Sequence, residues 1–291
     1  MLIYILSRSV ELYSTKRIFQ AATNSHHNVR VINYLECDLI IEDGQYKIIY
    51  EHEELIKPDY VIPRIGASVT SYGCSVVRHF EVMGAKVLNP SAGIHDSRDK
   101  YRCLQLLTEY GVKVPNTYFS YDLYYAERVV KTKLGYPFIY KVIEGTHGEG
   151  VHLVDSAEQM HNLFYENQAK DQKVLLQEFI SEFQGKDLRV IVIGNEVVAS
   201  MMRVAQAGDF RSNIHRGGRG ENVPLSEKEK EVALKAARVL GLGMAGVDIL
   251  RSSRGPLIIE VNSSPGIEGI EGVTKIKIAE KLIEFIEKSE E

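Results

Sequence analysis

The stretch that decides the fold lies near the C-terminus and reads AGVDIL (residues 245–250), RSSRGP (251–256) and LIIEVN (257–262). Two apolar runs rich in Val and Ile flank a turn that contains Gly and Pro, which is typical of a β-hairpin. Because side chains alternate between the faces of a strand, Glu260 and Asn262 share one face. If Asp248 pairs with Glu260, residues 252–256 form the loop, and three oxygen-bearing side chains meet at one patch.

Two carboxylates at such a patch repel each other, and burying them is costly unless a cation compensates their charge. Hard oxygen ligands suit Mg²⁺ or Mn²⁺, which are usually shared with the phosphates of a nucleotide. The hairpin therefore predicts a metal site. The simpler alternative, an ordinary hairpin with three exposed polar residues, stays open on this segment alone.

Composition bounds the class of protein. The chain has 291 residues, 44% of them hydrophobic and 25% charged, which is ordinary for a globular protein with two or three subdomains. A net charge of −4 provides no general attraction to nucleic acid or to a membrane surface, so any anion site must be local. Three scattered cysteines predict no disulfide framework and favour a reducing cytoplasm. No apolar run approaches membrane-spanning length.

The order of elements predicts an α/β protein. Strands over residues 2–6, 29–33 and 60–66 alternate with helices over 15–26 and 70–83, which indicates a parallel, Rossmann-like sheet. No G-x-G-x-x-G follows the first strand, so a standard dinucleotide site is excluded. Residues 138–180 predict a small α+β module, and a hairpin around Gly194-Asn195 follows. Ser226 and Glu229 form a capping box that starts a helix over residues 226–240.

Two further features indicate an anion site. Lys141 lies inside an apolar strand, where a buried ammonium needs a partner, and the glycine-rich loop 145–150 could present backbone N–H groups to the same phosphate. Residues 211–219 form a basic, glycine-rich loop suited to phosphate or carboxylate. An exposed edge-strand lysine and a solvated loop remain the plain alternatives to these readings.

Together these motifs resemble the RimK-type ATP-grasp carboxylate–amine ligases, and the resemblance runs nearly end to end. It implies an ATP-grasp fold with an N-terminal Rossmann-like pre-ATP-grasp domain (residues 1–97), a central subdomain with a glycine lid (98–180) and a C-terminal subdomain with the metal site (181–291). The motifs that carry the resemblance are VIPRIG (61–66), RDK (98–100), VIEGT (142–146), GDFRSN (208–213), HRGG (215–218), AGVDIL (245–250) and EVN (260–262).

The resemblance also implies roles for residues of the nucleotide site. Lys141 would touch the α- and β-phosphates of ATP, and Lys100 would approach the nucleotide from the preceding helix. Glu178 and Phe179 would border the adenine, partly through backbone groups. Asp187 would hold the ribose.

At the phosphate end, the resemblance places the side chains of Arg211, Ser212 and Asn213. Asp248, Glu260 and Asn262 would hold two Mg²⁺ or Mn²⁺, with Glu260 bridging them. Arg203 and Arg216 would act in catalysis by stabilising charge on the transferred phosphoryl group and on an acyl-phosphate.

The implied reaction is the ATP-dependent addition of L-glutamate to the C-terminal carboxylate tail of a small-subunit ribosomal protein, in the cytoplasm, through an acyl-phosphate. Neither direct nucleic-acid binding nor membrane association is implied, and ligases of this kind are often homo-oligomers. The acceptor residues are not identified by the motifs, although Arg64 is a candidate for contacting a substrate carboxylate. Two alternatives stay open: the same chemistry on a carrier protein or small cofactor, and a non-catalytic ATP-binding regulator.

Overall fold

A computed structural model describes residues 1–143, 150–168, 173–206 and 218–289. The β-strands are β1 (Leu2–Leu6), β2 (Asn28–Ile32), β3 (Cys37–Glu42), β4 (Gln45–Tyr50), β5 (Glu53–Glu54), β6 (Tyr60–Pro63), β7 (Lys86–Val87), β8 (Thr117–Ser120), β9 (Phe138–Val142), β10 (Val151–Val154), β11 (Val174–Glu178), β12 (Lys186–Ile193), β13 (Glu196–Val204), β14 (Arg219–Glu221), β15 (Met244–Leu250) and β16 (Leu257–Asn262).

The α-helices are α1 (Tyr13–Asn24), α2 (Thr70–Val82), α3 (Ser91–Arg98), α4 (Lys100–Glu109), α5 (Leu123–Val129), α6 (Ala157–Gln168), α7 (Glu227–Val239), α8 (Glu268–Thr274) and α9 (Ile278–Lys288). The Ser226–Glu229 capping box predicted for α7 is confirmed. α3 and α4 are separated at Asp99, whose side chain accepts hydrogen bonds from the backbone of α4 and caps its N-terminus.

The N-terminal sheet has the strand order β2-β1-β6-β7, and all its pairs are parallel, as predicted. The carboxyl ends of β1 and β6 lie side by side, with Leu6 paired with Pro63. A second, antiparallel sheet of β3, β4 and β5 was missed by the sequence analysis. Its signal is present, because Asp43 and Gly44 both have positive φ in the turn between β3 and β4, where an Asp-Gly pair is favoured.

The central sheet has the order β10-β9-β11-β8 and is antiparallel throughout. One face packs against α5 and α6 through buried apolar side chains, among them Phe138, Tyr140 and Phe164. Alternation along β9 therefore turns Lys141 to the opposite face, away from these helices.

The C-terminal sheet has the order β14-β13-β12-β15-β16, again antiparallel. On one face, Val190 and Val247 pack with α4 and α7. On the other face, Ile191 and Met244 join a core that includes Ile5 of the N-terminal sheet and side chains of α9. The N-terminal and C-terminal sheets thus share one hydrophobic core, which fixes their relative position by excluding water from a common surface.

Asn89 connects the same two regions by hydrogen bonds. It is fully buried, and its side-chain amide donates to Met244 O (2.9 Å) and Ser263 O (2.6 Å) and accepts from Met244 N (2.9 Å). The three-part division at residues 97 and 180 remains a prediction. None of the helices within the described ranges is both long and apolar enough to cross a membrane.

We predict that Asn89→Ala lowers the free energy of unfolding by about 3 kcal/mol or more, because three buried backbone groups lose their partners. Urea denaturation of the purified variant measures this loss. The matched control is Asn24→Ala, at an exposed position at the end of α1, which should change stability by less than about 0.5 kcal/mol. Equal stability of the two variants would contradict the bridging role of Asn89.

Candidate active site

The hairpin predicted near the C-terminus is confirmed. β15 and β16 pair with Asp248 opposite Glu260 and Gly246 opposite Asn262. The register shifts between Asp248 and Ile249, and the loop spans residues 251–256, one residue more than predicted. The irregularity lies on the turn side of Asp248, so the polar residues beyond it keep their common face.

One face of the C-terminal sheet changes from apolar to charged along its strands. At one end it carries the apolar residues of the shared core, such as Ile191 of β12. Two and four residues earlier on the same strand are Arg189 and Asp187, which lie on the same face by alternation. Asp187 is paired with Arg203 of β13, and Arg189 with Asp248 of β15. The register of three strands therefore gathers four charged side chains at one end of the sheet.

These four side chains form a closed, charge-balanced network. Arg203 donates to Asp187 through Nε (2.7 Å) and Nη2 (2.5 Å), and its Nη2 also lies 2.9 Å from Asp248 Oδ2. Arg189 donates to Asp248 through Nε (2.5 Å) and Nη2 (2.8 Å). The Asp248 side chain is 1% exposed, so its charge depends on these partners.

The network determines the ionisation of its members. Burial by itself would raise the pKa of Asp248, but Arg189 and Arg203 outweigh that effect and lower the pKa below its usual range. Burial likewise opposes the charge of Arg203, and Asp248 and Asp187 more than offset it, so the pKa of Arg203 is raised. Both shifts favour the charged forms of Asp248 and Arg203, and two aspartates facing two arginines give the network a formal charge of zero.

Glu260 lies beside this network, opposite Asp248 in the strand pairing, and has no ion-pair partner among the described residues. Its side chain is exposed, and within the described ranges its carboxylate takes part in no hydrogen bond or ion pair. Asn262 is half-buried, and its amide nitrogen donates weakly to Gly246 O at 3.4 Å, which leaves its amide oxygen outside that bond. Asp248 Oδ1 accepts one hydrogen bond and retains a second lone pair. These three groups offer the hard oxygen donors that Mg²⁺ requires.

Two lysines bring positive charge toward Glu260. Lys141 donates to Gln177 Oε1 at 2.7 Å, and burial lowers its pKa to about 8, an effect that the charge of Glu260 partly opposes. Lys100, at the start of α4, donates to Ile143 O at 2.7 Å, and burial lowers its pKa as well. Helix α4 contacts β16, which explains why Lys100 and Glu260 influence each other. The central sheet thus turns its cationic face toward the carboxylate face of the C-terminal sheet.

Glu178 and Phe179 lie where the central sheet leads into the C-terminal one, and both are half-buried. The Glu178 side chain is held by Asn116 Nδ2 at 2.5 Å and by an ion pair with Arg254. Its predicted contact with adenine therefore rests on the main chain. The ribose contact of Asp187 also remains a prediction, since Arg203 already engages both of its carboxylate oxygens.

Four predicted site residues lie outside the described residues: Arg211, Ser212, Asn213 and Arg216. Most of the glycine-rich loop, at residues 144–149, lies outside them too. Two residues of the site were missed by the sequence analysis. Arg189 could have been found from its position two residues after Asp187 on one strand. Gln177, the partner of Lys141, carries no sequence signal beyond being a polar residue in an apolar strand.

Two antiparallel sheets that face each other across charged side chains, preceded by a parallel-sheet domain, define an ATP-grasp protein. Comparison with family models agrees: residues 97–286 match the RimK-like ATP-grasp domain, and residues 1–94 match the RimK PreATP-grasp domain. The chain belongs to the RimK-like ATP-grasp family. The predictions of this family, of its fold and of an ATP-dependent acid–amino-acid ligase are confirmed.

Curated relatives span the whole chain. A probable alpha-L-glutamate ligase of Maridesulfovibrio salexigens is 46% identical over 289 residues, covering 99% of this chain and 96% of the relative. Proteins of the same name from Coxiella burnetii and Cellvibrio japonicus are each 48% identical, over 289 and 292 residues, with the same coverage.

Solved structures agree on the fold. The ATP-grasp ligase PsnB, in complex with a variant precursor, Mg and ADP, aligns with a TM-score of 0.76 at 20% identity, covering 100% of this chain and 98% of that one. A RimK domain ATP-grasp protein from Sphaerobacter thermophilus aligns with a TM-score of 0.73 at 16% identity, covering 98% of this chain and 99% of that one.

We predict that Arg203→Met lowers the free energy of unfolding by about 3–5 kcal/mol, because it leaves Asp187 unpaired and Asp248 half-paired in a buried site. Urea denaturation gives the value. Arg219→Met is the matched control, since Arg219 is 76% exposed and its pair with Glu221 is a surface one, with an expected effect below about 0.5 kcal/mol. An Arg203→Met variant as stable as this control would show that the network is not structural.

Proposed function

We propose that this protein ligates L-glutamate to the C-terminal carboxylate of a protein tail, with the small-subunit ribosomal protein tail as the first candidate, at the expense of ATP. The observation that carries the proposal is the set Asp248, Glu260 and Asn262 on one sheet face, opposite Lys141 and Lys100. The names of the curated relatives support glutamate as the amine substrate.

The residues present fit the metal that such a ligase uses. Glu260 is exposed and lacks a protein partner among the described residues, and Asp248 and Asn262 each keep an oxygen able to bind a cation. Asp248, Glu260 and Asn262 would hold two Mg²⁺ or Mn²⁺. Bound there, the cations would neutralise phosphate charge and polarise the transferred phosphoryl group. The neutral Asp187–Arg203–Asp248–Arg189 network would keep Asp248 ionised and correctly oriented.

The chemistry then divides between the two sheets. The acceptor carboxylate takes the γ-phosphoryl group of ATP, giving an acyl-phosphate and ADP; the amine of glutamate attacks the acyl carbon, and phosphate leaves. Lys141 from the central sheet and Lys100 from the start of α4 hold the phosphates. Arg203 and Arg216 remain candidates for stabilising the developing charge, Arg203 already being placed beside Asp248.

A peptide acceptor has separate support. PsnB, which shares this fold, was solved with precursor peptides, and so was the macrocyclase MdnC. Peptide binding by proteins of this fold is compatible with a protein tail as the acceptor here.

The test is mass spectrometry of a ribosomal tail peptide ending in Glu-Glu after incubation with the protein, ATP, MgCl₂ and glutamate. We expect a ladder of added glutamyl residues, and none with Glu260→Gln, a substitution at an exposed position that leaves the fold intact. An unchanged peptide with glutamate-dependent ADP release would retain the ligase and reject this acceptor. A ladder of wild-type intensity from Glu260→Gln would refute the metal assignment.

We further predict that nucleotide affinity falls as the pH rises through about 8, because the buried Lys141 loses its proton near that pH and only its cation attracts phosphate. For a pKa of about 8, the protonated fraction drops about five-fold between pH 8 and pH 9. Titration with a non-hydrolysable ATP analogue at a series of pH values measures the dissociation constant.

Lys141→Met is the control for this dependence. It should bind the analogue about ten-fold more weakly at pH 7.5 and show a flatter profile up to pH 9, because the ammonium of Lys141 no longer titrates. A profile in the variant as steep as in the wild type would assign the pH dependence to another group.

A further inference from the structure

Two arginines from the N-terminal part of the chain, Arg64 and Arg98, lie near the segment that contains Glu260. Arg64 follows β6 and donates through Nη2 to Pro265 O at 2.7 Å. Arg98 ends α3 and donates through Nη2 to Ile65 O at 2.7 Å, so its guanidinium lies against the residue that follows Arg64. The pair therefore sits between the end of β6 and the segment that immediately follows Asn262.

Among the described residues, no ion pair neutralises the charge of either arginine. Within the described ranges, neither Arg64 nor Arg98 forms an ion pair, and the hydrogen bonds recorded for them go to backbone carbonyls. Burial lowers the pKa of Arg64 to about 10, and the charge of Arg98 adds to that effect. Two half-buried cations that repel each other are costly, and an anion placed between them would remove the cost.

Buried polar atoms without a hydrogen-bond partner occur in Arg98 itself and in the segment that Arg64 contacts. Arg98 Nε is buried without a hydrogen-bond partner, and the hydroxyl oxygens of Ser263 and Ser264 are buried and unsatisfied among the described residues. Buried polar groups in native proteins nearly always have a partner. Arg98 Nε belongs to the pair itself, and Arg64 contacts the backbone of the segment that carries the two serines, which indicates the place of a ligand that supplies oxygen acceptors.

The position of Arg64 and Arg98 also indicates which kind of ligand would bind there. Arg64 lies at the carboxyl end of β6, beside the carboxyl end of β1, where parallel sheets bind ligands. Glu260 acts electrostatically on Arg98 as well as on Lys100 and Lys141, so all three cations lie near its carboxylate. The lysines already serve the nucleotide side, which leaves the arginines for the other reactant.

We propose that Arg64 and Arg98 form a carboxylate-binding site that orients a substrate of the ligase beside Glu260. This inference rests on the proposed function, which supplies two sources of that carboxylate: free glutamate and the acceptor tail. Arg64 presents the planar fork that pairs with a carboxylate, and Arg98 adds charge with Nε as a further donor. Both are positioning residues for substrate and lie away from the nucleotide lysines.

The experiment is calorimetric titration of the full chain, saturated with ADP and MgCl₂, with glutamate in one series and the Glu-Glu tail peptide in another. Arg64→Gln removes the fork, Arg64→Lys keeps the charge without it, and Arg78→Gln is the matched control. Arg78 lies in the same domain, 67% exposed, in a surface pair with Glu81. ADP affinity, measured separately in each variant, reports whether the nucleotide site is intact.

We expect Arg64→Gln to lower the affinity for one of the two titrants about 10- to 100-fold, and Arg64→Lys to lower it less. ADP affinity should be unchanged in both variants, and Arg78→Gln should bind both titrants like the wild type. The titrant that weakens identifies the source of the carboxylate. Unchanged binding of both titrants, or a loss confined to ADP, would overturn the inference and leave the proposed ligase standing. A wild type that binds neither titrant would overturn the proposed function together with it.

Discussion

The cleft between the central and C-terminal sheets can hold charge because its buried charges are paired in advance. Arg203 lies between Asp187 and Asp248, and Arg189 completes a network without net charge. Without that balance, ionised aspartates at the end of an apolar sheet face would be destabilising. The network holds Asp248 in its charged form beside Glu260, so the candidate metal site depends on arginines that need not touch a metal.

The same sheet face explains how the domains are arranged. Its apolar half packs with the N-terminal sheet and α9, and its polar half is left for the cleft. Asn89 joins the two regions by satisfying backbone groups at Met244 and Ser263, close to Asn262. Substitutions in the shared core are therefore expected to disturb the site, because strand β15 contributes to both.

Around Glu260, charged groups at three places have no oppositely charged partner at ion-pair distance among the described residues. The carboxylate itself lacks a partner among the described residues, Lys141 has only the amide of Gln177, and Arg64 and Arg98 have only backbone carbonyls. Several cations near one carboxylate match a reaction that brings phosphates and a carboxylate substrate together at a metal. Burial lowers the pKa of Lys141, and a buried ammonium of this kind in a cleft is typical of a functional site.

Much of the secondary structure and the family of this protein could be predicted from local sequence. Strand periodicity predicted the parallel sheet and the hairpin that pairs Asp248 with Glu260, because alternation and turn chemistry act over a few residues, and ordered motifs indicated the family. Sequence did not reveal that Arg203 and Arg189 share Asp248, or that Arg64 and Arg98 lie together without an ion pair among the described residues. Those contacts join strands and helices distant along the chain, and only tertiary packing decides which charges are buried next to each other.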